Sequence, residues 1–121
     1  MEKELGKISI IENCPVRNVL DRFGDKWSLL VILILGKRGT LRFNELQKII
    51  PDISQKMLTV TLRMLEADDL ITRKVFAEVP PRVEYTITER GKTLLPLVYN
   101  LFKWANDNMP AIKRSRKKFE A

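Results

Sequence analysis

Between positions 43 and 65 the chain carries two amphipathic stretches separated by a break of about four residues, and this spacing constrains the fold more than any other feature. In Phe43-Asn44-Glu45-Leu46-Gln47-Lys48-Ile49-Ile50 the apolar positions 43, 46, 49 and 50 share one helical face. Pro51-Asp52 stops that helix, because proline offers no amide hydrogen to continue the ladder. Ser54 is a suitable N-cap for a longer helix in which Leu58, Leu62 and Leu65 stand at i, i+4 and i+7. Ile53 is the apolar pin of the turn between them. Two helices joined this tightly must pack against each other and present one outer face to solvent.

The flanking segments supply something to pack against. Pro15 suits the first position of a short helix carrying Val16, Val19, Leu20 and Phe23. Asp25 is a plausible N-cap for a second helix over 26–35, apolar nearly all round and therefore central, with Gly36 expected to end it. Thr40-Leu41 reads as a short extended link. Beyond Leu70 the period changes to two: 71–76 and 82–87 alternate as strands of a hairpin with Pro80-Pro81 at its tip. Thr88 caps a final long helix bearing Leu94, Val98, Leu101, Ala105 and Met109 on one stripe, which Pro96 is expected to kink. Residues 110–121 read as a frayed basic tail around Lys113-Arg114-Ser115-Arg116-Lys117-Lys118.

The fold class that follows is mainly α with a small β-hairpin: a winged helix-turn-helix with an additional helix at each end. At 121 residues it reads as one domain, 1–121. The 22 Lys plus Arg against 15 Asp plus Glu give a net charge of +7, which favours a polyanionic partner. Histidine is absent and Cys14 is the single cysteine, so His-based catalysis, a thiolate/imidazole metal cage and an intrachain disulfide are all excluded within one protomer. Neither a phosphate-binding glycine loop nor a nucleophile-elbow motif occurs. No enzyme activity, cofactor or metal is expected. The longest apolar run, Leu29 to Leu35, is far short of the ~20 residues of a membrane span. With no signal-peptide pattern at positions 1–5, a cytoplasmic address and no membrane partner are expected.

In a helix-turn-helix the second helix enters the major groove of double-stranded DNA. DNA reading is expected from Ser54 through Arg63: Ser54 stands at the start of the helix, and Gln55, Lys56, Thr59 and Arg63 lie opposite the three leucines. Gln55 can pair with adenine, Lys56 and Arg63 can serve guanine or phosphate, and Thr59 can meet a thymine methyl or a phosphate. The competing reading is an ordinary solvated helix face. Arg42 and Asn44, at the start of the preceding helix, are candidates for register-fixing phosphate contacts. Arg82 follows the hairpin tip where it could reach the backbone or minor groove, and Arg73 and Lys74 lie on the adjoining strand. Trp27 and Trp104 read as core or interface packing, with the lining of an effector pocket as the alternative.

Several multi-residue motifs resemble the HxlR-type branch of the MarR-like regulators: Cys14-Pro15-Val16, Gly24-Asp25-Lys26-Trp27, Leu41 through Leu46, Ile53 through Leu58, Leu62 through Glu66, Val79 through Tyr85, Thr88 through Gly91, and Trp104. They occur in the family's order over positions 13–106. The resemblance implies a homodimer on a palindromic operator, assembled mainly through the terminal helices. Val16 and Leu20 in the first helix, and Val98, Leu101, Phe102 and Ala105 in the last, are then the candidate interface. One departure is Asp69, where the family usually has glycine; Asp is among the residues that tolerate the left-handed conformation this position implies. Some members of the family sense oxidants or electrophiles through a cysteine placed like Cys14. Here that residue precedes a helix N-terminus whose free amides favour an anion. A thiol oxidant or a small-molecule effector is therefore an expected partner, against the alternative that Cys14 is inert. The alternative to a DNA-binding regulator is a winged-helix module that binds protein without specific DNA readout.

Overall fold

The computed structural model describes residues 14–121; positions 1–13, including the segment read for a signal peptide and the first position of the family resemblance, lie outside the described residues. The order is α1 (Pro15–Phe23), α2 (Ser28–Arg38), β1 (Leu41–Arg42), α3 (Phe43–Ile49), α4 (Gln55–Ala67), β2 (Ile71–Phe76), β3 (Arg82–Ile87) and α5 (Glu89–Glu120). The expected winged helix-turn-helix is present. Its sheet has the order β1-β3-β2, both pairs antiparallel, so the extended link becomes a third strand.

The core forms around α2, whose Val31, Ile32 and Leu35 are fully buried, as its all-round apolarity requires. From α4, Leu58, Leu62 and Leu65 pack into the same cluster with Leu46 of α3, Ile53 of the turn, and Ile71, Tyr85 and Ile87 of the sheet. Ser54 caps α4 as expected, its hydroxyl accepting from the Met57 amide at 3.0 Å. Thr88 caps α5 by accepting from Gly91 at 2.9 Å, and its hydroxyl donates to the Asp69 carbonyl at 2.7 Å. Asp69 has φ 59, the left-handed conformation implied by the glycine that the family it resembles usually has there. Its carboxylate lies 3.2 Å from Arg90.

Three local expectations change. The helix expected over 26–35 begins at Ser28 and runs past Gly36 to Arg38. The N-cap position is Trp27 and not Asp25, but the Asp25 carboxylate still ties down the helix start, accepting from the amides of Trp27 and Ser28 and from the Ser28 hydroxyl, each at 2.7 Å. Gly39, with φ 86, is the residue that ends it. Gly36 answers a different need: a Cβ there would lie 2.4 Å from a Leu95 methyl, so α5 crosses α2 where no side chain intervenes. The basic tail is not frayed but helical to Glu120. Its Ala, Lys, Arg and Glu residues are good helix formers. The helix is continuous through Pro96 and Pro110, both exposed, although neither has the amide hydrogen to pair with the carbonyl four residues back.

Candidate nucleic-acid interface

Burying Leu58, Leu62 and Leu65 turns the opposite side of α4 outward, and Gln55, Lys56, Thr59 and Arg63 are all exposed there. Their roles are not equivalent. The Ser54 hydroxyl is occupied by its cap, and the Thr59 hydroxyl donates to the Gln55 carbonyl at 2.9 Å. Thr59 therefore offers a methyl group and an acceptor oxygen, while Gln55, Lys56 and Arg63 keep all their donors free of the hydrogen bonds and ion pairs seen among the described residues.

The sheet divides the remaining candidates between two clefts. Arg73 faces Tyr85 across the ladder, and with Thr59, Arg63 and Glu66 it lines a polar cleft of about 370 Å³ between α4 and the hairpin. Lys74, one residue on, points to the other face because strand side chains alternate. There the register places Arg42, Glu84 and Lys74 side by side across all three strands. Arg42 and Asn44 are exposed and line a second cleft with Glu78, the Pro80-Pro81 tip and Arg82. The Arg42 amide donates to Glu45 at 2.9 Å, which fixes the start of α3 without engaging the guanidinium.

Arg82 is already engaged within the protomer. A side chain expected to reach for DNA is instead folded onto its own hairpin, 27% exposed and 3.3 Å from both Glu78 and Glu84. The two carboxylates were not singled out in the sequence, although Glu84 could have been found from the strand register.

Asp25 is a carboxylate whose pKa is lowered from its ordinary value. Partial burial pushes its pKa up, but the hydrogen bonds from the Ser28 hydroxyl and from the Ser28 and Trp27 amides outweigh that and hold it below 3.8. A second unforeseen group is Arg22, which makes a two-pronged pair with Asp68, Nε and Nη2 each 3.0 Å from a carboxylate oxygen. Asp68 ends α4, so this pair ties α1 to the outward-facing helix. The hydrogen bonds to Asp68, and then its charge, raise the Arg22 pKa.

Of the candidate interface residues, Val16, Leu20 and Leu101 are half or more exposed. Phe102 packs against the core and Ala105 is half-buried. Val98 does not belong with them: at 2% exposure it is enclosed by its own protomer and has no surface to offer a partner. Cys14 is also buried, at 1%. An apolar cavity of about 540 Å³ opens between α2 and α5, floored by Leu33, Leu95, Tyr99 and Phe102. Trp27 and Trp104 are not among its walls; Trp27 sits in the core and Trp104 is exposed. Among the described residues no helix is long and apolar enough to cross a membrane.

A family model described as HxlR-like helix-turn-helix matches residues 22–113. YybR of Bacillus subtilis (strain 168), an uncharacterised HTH-type transcriptional regulator, is 45% identical over 107 residues, covering 87% of this chain and 83% of YybR. Two solved structures of the redox regulator HypR are similar over about four fifths of this chain. The oxidised form is 45% identical with a TM-score of 0.72, covering 78% of this chain and 97% of that one. For the reduced form the figures are 42%, 0.76, 83% and 98%.

Proposed function

Because the chain belongs to the HxlR-like helix-turn-helix family, we propose that this transcriptional regulator works in the cytoplasm as a homodimer on a palindromic double-stranded operator, with α4 in the major groove. The observation that carries the reading is the division of α4 into a buried leucine face and an exposed face of Gln55, Lys56, Thr59 and Arg63. Gln55 reads base edges, Lys56 and Arg63 contact guanine or phosphate, and Arg42, Asn44, Arg73 and Lys74 fix register from the flanking clefts. Dimerisation is supported by Val16 and Leu20 on α1 and Leu101 on α5, apolar side chains that a lone protomer leaves in water.

The purified protein should select, from a pool of random duplexes, two inverted half-sites whose centres lie about 10 to 10.5 base pairs apart or a multiple of that. Absence of enrichment, or a single unrepeated motif, contradicts the dimeric reading.

The signal we favour is a thiol oxidant, on the strength of the similarity to HypR, described as a redox regulator. Cys14 is buried immediately before α1, so its oxidation requires an opening that exposes its sulfur. With one cysteine per chain, the product is an intersubunit Cys14 to Cys14 disulfide, a mixed disulfide or an adduct. Diamide should change operator affinity in the wild type and leave Cys14→Ser unaffected. Equal insensitivity of both would remove Cys14 from the mechanism.

A further inference from the structure

Arg82 opens β3 directly across from Phe76, the last residue of β2. Beyond this pair the register ends, and the tip from Ala77 to Pro81 has no cross-strand partner. The guanidinium lies 4.0 Å from the centre of the Phe76 ring, within cation–π range, and Lys74 approaches the same ring at 5.0 Å. One terminal nitrogen is 3.3 Å from Glu78 in the tip, and Nε is 3.3 Å from Glu84 further along the strand. Nε is buried and, among the described residues, makes no aligned hydrogen bond, so its contact with Glu84 is one of charge and proximity. One side chain thus joins the tip, the end of β2 and the middle of β3.

We propose that Arg82 is a positioning residue of the wing and not a phosphate contact: it neutralises Glu78 and Glu84 and holds the tip against Phe76, leaving Arg42 and Lys74 as the DNA-facing cations of that surface. This rests on the DNA-binding reading of α4 and the hairpin. Transfer of the guanidinium to a phosphate would break both ion pairs. It would also leave two uncompensated carboxylates facing a polyanion, which is electrostatically unfavourable at this range. Arg42 and Lys74 share a single carboxylate, Glu84, as cross-strand neighbour, and that carboxylate is already engaged by Arg82.

The test is a mutant cycle on operator DNA with a companion measurement on the free protein. Arg82→Gln should weaken binding about three- to tenfold in the wild-type background. In the Glu78→Gln/Glu84→Gln background the same change should alter affinity less than about twofold, because no carboxylate is left to neutralise. Equal losses in both backgrounds would identify a direct contact and overturn the proposal. Without DNA, amide hydrogen exchange at Phe76 and Glu84, whose pairs with Arg82 and Lys74 are the hydrogen-bonded ones in this register, should accelerate in Arg82→Gln and, to a smaller degree, in Arg82→Lys, which keeps the charge but loses the planar two-sided geometry. Unchanged exchange in both variants also overturns it. Because exchange is read without DNA, failure of the wing brace is distinguishable from failure of the DNA-binding reading.

Discussion

Replacing Gly91 with alanine should damage the protein far more than the same change at Gly36, although both glycines lie inside helices and both are tightly approached. A Cβ on Gly91 would stand 2.3 Å from the Leu70 carbonyl oxygen and 2.6 Å from Ile87 Cγ1. That carbonyl is already the acceptor for the Thr88 amide at 3.0 Å, the bond that sets the start of α5 against the end of the sheet. Backbone cannot rotate away, so α5 must shift by an ångström or so. Overpacking of this kind costs about 1 to 3 kcal/mol. Weakening the Thr88 bond adds about 1 kcal/mol, close to what alanine returns through helix propensity. The net expectation is a loss of about 1 to 3 kcal/mol, lowering Tm by roughly 4 to 12 °C for a chain of this size. At Gly36 the nearest atoms are the Leu95 methyls, which can turn into the neighbouring apolar cavity. With the propensity gain, Gly36→Ala should fall within about 1 kcal/mol of wild type. Urea unfolding followed by circular dichroism, at matched protein concentration, measures both. If Gly91→Ala is as stable as Gly36→Ala, the described seating of α5 on the Leu70–Thr88 junction is wrong.

Two further outcomes follow from other parts of the fold. Asp25 has a folded-state pKa below its unfolded value, so its stabilisation is complete above the unfolded value of 3.8 and disappears as pH falls through the lower folded one. Asp25→Ala should therefore cost about 0.5 to 2 kcal/mol at pH 7, and the difference from wild type should shrink as denaturation is repeated below pH 4. Deleting residues 113–121 removes the exposed helical turns bearing Lys113, Arg114, Arg116, Lys117 and Lys118. Affinity for operator and random duplex should fall together, about severalfold at low salt, with the selected sequence unchanged; a changed sequence preference in the selection assay would assign these residues a reading role.

The parts of this fold that could be read from the sequence are those governed by neighbours in the chain. Ser54 and Thr88 cap the helices they precede, and Leu58, Leu62 and Leu65 are buried together. Gly36 and Gly39 look alike as helix terminators in the sequence. Only the passage of Leu95 over Gly36, about sixty positions away, separates their roles. The same limit applies at the site. The outward face of α4 follows from periodicity, but the capture of Arg82 by Glu78, Glu84 and Phe76 depends on hairpin register, and the Arg22–Asp68 pair joins residues 46 apart. Val98 falls on the same helical stripe as Leu101 and Ala105, and its burial depends on where the core ends along α5. The last residues read as frayed from their run of positive charge and their terminal position, whereas their helix-forming residues continue α5 to Glu120.

The central claim, that α4 reads DNA through its outer face, is tested most directly by fluorescence anisotropy with the selected operator and a scrambled duplex, for wild type, Gln55→Ala and Lys56→Ala across a salt series. Lys56→Ala should weaken binding to both duplexes and flatten the dependence of log affinity on log salt by about 0.9 if Lys56 meets one phosphate. Gln55→Ala should reduce the preference for operator by ~1 to 3 kcal/mol while leaving scrambled-duplex affinity in place. Wild-type affinities for the two duplexes that both variants reproduce, with the same salt dependence, would contradict the account.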